Sequence, residues 1–283
     1  MSSTTSITSE KLSRLIGRAD CPVLIDVCTQ ADFACDPRLV PGSIRRAHED
    51  VAIWGPTHAG QDVIVICQKG LKLSEGVAGW LRHFGARARN LEGGAIGWAK
   101  AGLPMVVTGK MPAPRADGST LWVTRSRPKI DRIACPWLIR RFVDPSAVFL
   151  FVSPSEVRGV AERFGATSFD IEGEDQFWSH RGEACTFDVM VAEFGLGSDA
   201  LHRLATMVRG ADTARLDLAP EAAGLLAVSL GLSRMFSDDL KQLDAGMLVY
   251  DALYRWCSDA TNETHNWPSA RPSAEARSGG LAP

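Results

Sequence analysis

The sequence predicts two domains: an α/β domain built on a parallel sheet with helices on both faces, then a mainly α (α+β) domain. Three observations carry this. In the first third, apolar runs of strand length alternate with segments of helical period, and strands apolar throughout imply a sheet buried on both sides. After about Phe187 the apolar spacing is nearly all helical. Between the two, Val107–Thr120 ("VTGKMPAPRADGST") carries proline, glycine and small polar residues without an apolar period, as a linker does. The expected bounds are 1–106, a linker over 107–119, a second domain over 120–265, and a disordered tail over 266–283 rich in proline, serine, alanine and glycine.

Taken in order, Ser9 can cap a helix running to about Arg18. Pro22–Val27 and Asp62–Cys67 are strands. Leu73, Val77, Trp80, Leu81 and Phe84 mark a helix that Gly85 ends. "ARNLEGG" is a further short strand, and "AIGWAKAGLP" a closing helix stopped by Gly102 and Pro104. The second domain opens with strand Leu121–Arg125, a helix through Pro136–Val143, and strand Ala147–Ser153. Four helical segments follow, with Ser198 and Ser237 as N-caps and Pro220 in a first turn.

Bulk properties exclude several classes. The chain has 283 residues and a net charge of −2, with 45% hydrophobic and 23% charged residues. That composition suits a globular protein and asks for neither nucleic acid nor an anionic membrane surface. No apolar run reaches the roughly 20 residues of a membrane span, and the start lacks the basic-then-apolar pattern of a secretory signal. The seven cysteines are odd in number, so they cannot all pair, and too scattered for a disulfide scaffold; a reducing cytoplasm is the expected location.

"VIVICQKGLKLS" (Val63–Ser74) holds the first chemical signal. Cys67 closes a buried strand, at the sheet edge where α/β proteins bind ligands. Gly70 lets the loop Gln68, Lys69, Gly70, Leu71, Lys72 bend tightly. Its amides, the N-terminus of the next helix and two lysines would favour an anion there, whether a thiolate, a persulfide or a bound oxyanion. A buried packing thiol is the alternative that the stretch alone leaves open.

The flanking motifs extend the reading. The strand ending in "IDV", the downstream "PGSI", the cysteine loop and "LEGGAIGW" together resemble the rhodanese (sulfurtransferase) family over about Ser9–Met105. The resemblance implies a rhodanese-like fold and Cys67 as the nucleophile that accepts sulfur. Gln68–Lys72 would be the substrate-binding cradle, with no cofactor required. Lys69 matches a lysine of thiosulfate-using members. Two positions depart from the pattern: Cys28 stands where many members have arginine after "DV", and Lys72 where single-domain members often have arginine. A tyrosine phosphatase would need arginine at position 73, which is Leu73. Inactive rhodanese domains usually lack the cysteine, so its presence implies activity.

In the second domain, Arg125, Arg127, Arg132 and Arg140 cluster in sequence around Cys135, a candidate oxyanion site beside a thiol near a helix start. A solvated basic face would look the same, and Asp131 could orient one of the arginines. Further on, His180 and Asp188 follow Asp170, Glu172, Glu174 and Asp175, and Asp212 comes later. His180, Asp188 and Asp212 are candidate ligands of a metal ion, although no metal-motif spacing is present.

"WVTRSRPKIDRIACPWLIRRFVDP", "HRGEACTFDVM", "MVRGADTARLDLAPEAAGLLAVSLGLS" and "GMLVYDALYRWC" resemble the C-terminal domain of the chromate-resistance protein family over about Leu121–Cys257. That resemblance implies a part in chromate resistance or sensing. The first expectation is therefore a thiosulfate-type sulfurtransferase coupled to a chromate-resistance domain. Its partners would be a small sulfur donor, a thiol acceptor and chromate or another oxyanion, without membrane or nucleic acid. The alternatives are a chromate- or metal-responsive regulator with a rhodanese redox switch, and a metal-dependent enzyme in the second domain.

Overall fold

The computed structural model describes residues 5–173 and 176–263. The expected tail and two of the acidic candidates, Glu174 and Asp175, lie outside the described residues.

The first domain comprises β1 (Ser6–Ile7), α1 (Ser9–Ser13), β2 (Val23–Asp26), α2 (Gln30–Cys35), β3 (Arg38–Leu39), β4 (Ser43–Arg45), α3 (Val51–Trp54), β5 (Asp62–Ile66), α4 (Lys72–His83), β6 (Arg87–Leu91), α5 (Gly94–Lys100) and β7 (Val106–Val107). Five strands form one parallel sheet in the order β1-β6-β5-β2-β4. β5 lies at its centre, which is why its residues are apolar on both sides. Period-two alternation divides them. Val63, Val65 and Cys67 pack with Val77, Ala78 and Leu81 of α4. Ile64 and Ile66 face the opposite side with Leu12 and Trp98. Cys67 thus shares a face with the helix that starts five residues after it.

The second domain comprises β8 (Leu121–Arg125), α6 (Asp131–Leu138), β9 (Val148–Val152), α7 (Val157–Phe164), β10 (Thr167–Ser168), α8 (Thr186–Glu193), α9 (Asp199–Asp212), α10 (Glu221–Met235) and α11 (Asp239–Asp259). Its three strands are parallel, in the order β10-β8-β9. The helices bury Trp137, Phe187 and Tyr250 in one aromatic cluster. Among the described residues no helix is long and apolar enough to cross a membrane.

Four boundaries differ from the sequence reading. Thr8, not Ser9, caps α1, its side chain accepting from Lys11 N, and the helix ends at Ser13. Asp238, not Ser237, caps α11. Helix α6 begins at Asp131 and carries Pro136 within it, then relaxes into a π-helical turn over Ile139–Val143. Proline lacks the N–H for the backbone ladder, and the widened turn follows directly. The expected linker is tied down: β7 pairs with β3, Val107 N donates to Phe194 O, and Lys110 pairs with Glu193. The two domains share one continuous apolar core, in which Gly17 sits against Phe142 and Tyr254.

Candidate functional site

Cys67 follows β5 at the carboxyl edge of the parallel sheet, 4% exposed at an open cavity of about 700 Å³. Gln68, Lys69, Leu71, Lys72 and Leu73 line that cavity, with Thr29 and Asp32 opposite. The thiol donates to Ser74 Oγ at 3.2 Å, and the Ser74 hydroxyl donates to Leu71 O at 3.0 Å. The loop is held by backbone contact that only glycine permits. Gly70 has φ +68°, and a Cβ there would lie 2.3 Å from Leu91 O. Gly94 has φ +58°, and its Cβ would lie 2.1 Å from Cys67 O and 2.4 Å from Gly70 N. Asn90 Nδ2 donates to Gly70 O at 3.0 Å, while Ala95 N and Ile96 N donate to Cys67 O and Gln68 O. Lys69 and Lys72 are exposed, and among the described residues neither is drawn into an ion pair. Next door, burial pushes the Cys28 thiol up, and it donates to Asp26 Oδ2 at 3.3 Å. Cys28 is therefore a protonated neighbour of Cys67.

A second concentration of polar groups lies at the carboxyl edge of the other parallel sheet. Asp131 opens α6, Asp170 follows β10, His180 stands on the loop before α8, and Asp212 ends α9. His180 Nε2 lies 3.5 Å from Asp131 Oδ2, 3.5 Å from Asp170 Oδ1 and 3.2 Å from Asp212 Oδ2. Asp131 is wholly buried; its Oδ2 accepts from Thr186 N at 2.6 Å, and its Oδ1 has no hydrogen-bond partner among the described residues. Burial raises its pKa, and the nearby Asp212 and Asp170 charges add to the rise. For Asp170 burial also pushes upward, but His180, Thr186, Arg132 and Arg125 outweigh it and the pKa falls. The carboxylates of Asp131, Asp170 and Asp212 push the His180 imidazole up to about 12.

Residues 122–257 match the family model "ChrB, C-terminal domain". The chain joins a rhodanese-like domain to a ChrB C-terminal domain. Protein ChrB of Cupriavidus metallidurans is 37% identical over 156 residues, 54% of this chain and 46% of ChrB. A sulfurtransferase of Allochromatium vinosum is 29% identical over 101 residues, 35% of this chain and 92% of that protein. The chain thus spans under half the length of that ChrB and nearly all of that sulfurtransferase. Among solved structures, a rhodanese-related protein from Thermoplasma volcanium aligns at 20% identity and TM-score 0.32, covering 36% of this chain and 98% of its own. A thiosulfate sulfurtransferase from Pseudomonas aeruginosa aligns at 20% identity and TM-score 0.31, covering 36% and 19%.

In the rhodanese-like domain the structure brings Cys67, Gln68, Lys69, Leu71 and Lys72 to one cavity, with Gly70 buried beneath the turn against Leu91 and Gly94; Thr29 and Asp32 join the lining unanticipated, and Ser74 joins behind it through the Cys67 thiol. Ser74 stands three, four and seven residues before Val77, Ala78 and Leu81, the spacing of one buried face of α4, and that spacing is the signal that finds it. The ChrB C-terminal domain corrects two expectations. Asp188 is not beside His180: it accepts from Cys185 N at 3.0 Å as the cap of α8 and pairs with Arg209 at 2.9 Å. Asp131 and Asp170 take its place. The candidate anion site does not assemble either. Arg125 and Arg132 both lean on Asp170. Arg127 donates to the carbonyls of Ser233 and Phe236, and Arg140 faces Asp244 and the Phe149 ring. Cys135 lies inside α6, fully buried, and burial with the Asp131 and Asp170 charges drives its thiol well up. It is a packing residue.

Proposed function

We propose that the rhodanese-like domain is a sulfurtransferase that carries sulfane sulfur as a persulfide on Cys67. The observation that carries the reading is the placement of Cys67 Sγ, 3.2 Å from Ser74 Oγ, at an open cavity edged by the Gln68–Lys72 turn and the start of α4. The Cys67 thiolate attacks the outer sulfur of a thiosulfate-type donor. A new S–S bond forms, the donor's S–S bond breaks, and sulfite leaves with the bonding pair. An acceptor thiolate, or cyanide in an assay, then attacks the outer sulfur and releases Cys67 as thiolate. Both steps gather negative charge on sulfur. The N-terminus of α4, with Lys69 and Lys72 at the cavity rim, opposes that charge with its unpaired amides and positive end. The Ser74 hydroxyl, which now accepts from the thiol, can turn to donate to the anion. Lys69 and Lys72 favour a dianionic donor over a neutral one.

The fused domain ties this chemistry to chromate resistance, chromate being an oxidant of thiols and a tetrahedral dianion of the donor's charge. Thiosulfate-to-cyanide transfer by the full chain and by Cys67→Ala tests the assignment. Thiocyanate from the wild type and none above background from the variant is the expected outcome; equal transfer by both would remove Cys67 from the reaction.

A further inference from the structure

We infer that Asp131, Asp170 and His180, with Asp212 beside His180, form a binding site for one divalent first-row transition ion in the ChrB C-terminal domain. The first ground is spacing. Single ligand atoms of Asp131, Asp170 and His180 all lie within 4.8 Å of one another. The three carboxylate oxygens stand 3.2–3.5 Å from His180 Nε2. Adjacent ligands on an ion with bonds of about 2.1 Å are separated by about 3.0 Å in an octahedron and about 3.4 Å in a tetrahedron. The second ground is independent of the cluster's charge. Asp131 is fully buried, yet its Oδ1 has no hydrogen-bond partner among the described residues. A buried carboxylate oxygen left unpaired costs free energy unless something ligates it.

The surroundings look built to orient these ligands. Thr186 N holds Asp131 Oδ2 at 2.6 Å, and Thr186 Oγ1 holds Asp170 Oδ1 at 2.9 Å. Arg125 and Arg132 occupy the Asp170 Oδ2 side. Such outer contacts fix ligand direction at metal centres. The strained backbone falls in the same place: the four non-glycine residues at positive φ among the described residues are Arg127, Ile130, Asp170 and Ala214. Ile130 immediately precedes Asp131, Asp170 is itself a ligand, and Ala214 lies two residues after Asp212. Ile130 is held there by Ser229 Oγ, which accepts from its N–H at 3.1 Å, and by Tyr250 OH, which donates to its carbonyl at 3.1 Å. Strain kept by such support is characteristic of functional sites.

One imidazole with two carboxylates suits manganese, iron or zinc rather than a soft ion, because neither Cys135 nor Cys185 is among the ligating groups; Asp212, 3.2 Å from His180 Nε2, adds a third negative charge beside them. On binding, Nε2 releases its proton to solvent and offers its lone pair. His180 is 40% exposed, so the ion would be reached from solvent and would keep a position open to water or an oxyanion.

Manganese(II) is the probe of choice, since it avoids the seven thiols. Chelator-treated full-length protein is titrated with Mn²⁺, and free ion is followed by electron paramagnetic resonance. One Mn²⁺ per chain is expected, weakened about tenfold or more in both His180→Gln and Asp212→Asn and unchanged in His202→Gln, with folding of each checked by circular dichroism. A wild type that takes up no stoichiometric Mn²⁺, or folded His180→Gln and Asp212→Asn proteins that bind as the wild type does, would overturn the inference. Neither result bears on Cys67, whose assay is separate.

Discussion

Gly94→Ala puts the proposed cradle under the most specific strain. The added Cβ would lie 2.1 Å from Cys67 O, 2.4 Å from Gly70 N and 2.8 Å from the Gln68 carbonyl carbon, all backbone atoms that cannot swing away. A left-handed backbone costs a residue with a Cβ about 1–2 kcal/mol, and forcing an extra carbon into a packed site adds about 1–3 kcal/mol. Gly60→Ala separates the two costs, because Gly60 has φ +78° but nothing within 4 Å of its Cβ position. Gly60→Ala should therefore lose about 1–2 kcal/mol, and Gly94→Ala about 2–5 kcal/mol. Because the two domains share one core, the unfolding unit exceeds roughly 200 residues, and the extra ~1 kcal/mol or more lowers Tm by about 2 °C or more. Relief of the overlap moves Cys67 O by about 1 Å, and displacement on that scale costs about a hundredfold in rate. Thermal unfolding and thiosulfate-to-cyanide kcat/KM, measured below the lower Tm, test both. If Gly94→Ala matched Gly60→Ala in stability and rate, the close-packed cradle would play no part in holding Cys67.

Ser74→Ala removes the hydroxyl 3.2 Å from Cys67 Sγ and should slow sulfur transfer about ten- to thirtyfold, from about 1.5–2 kcal/mol of hydrogen bonding to charged sulfur; an unchanged rate would take Ser74 out of the mechanism. Asp32→Asn deletes a carboxylate from the cavity wall and should lower the thiosulfate KM about two- to fivefold at low salt, a gap that narrows as salt is raised. A salt-independent or absent change would mean the donor does not approach past Asp32. Gly246→Ala places a Cβ 2.6 Å from Ile133 Cγ2 where α11 crosses α6, and should cost about 1–3 kcal/mol in urea unfolding. Combined with Ile133→Ala its cost should be less than additive, and strict additivity would argue against this contact.

The cysteine loop was legible because its chemistry is local in the chain. A strand, a glycine turn and a helix start place Cys67, Lys69 and Lys72 at one edge whatever the rest of the fold does, and the apolar period of β5 and α4 marks both elements. Asp32 and Thr29 could not be read, since they arrive from α2 and its N-cap across the sheet edge with no local pattern. The polar cluster of the second domain is the opposite case. Its residues come from Asp131, Asp170, His180 and Asp212, on four separate segments, and only the parallel order β10-β8-β9 brings Arg125 and Asp170 to one edge. Asp188 misled because an acidic residue at the third position of a helix serves the helix cap as readily as a metal. Cys135 misled because Pro136 suggests a helix start, yet α6 begins at Asp131 and continues past it.

The most direct test of the central claim is the mass of the intact chain after exposure to thiosulfate, with the modified position found by peptide mapping under non-reducing conditions. The account predicts a gain of one sulfur atom, confined to Cys67 among the seven cysteines, and its loss when cyanide is added. No gain, or a gain on another cysteine while Cys67 stays a free thiol, would contradict it.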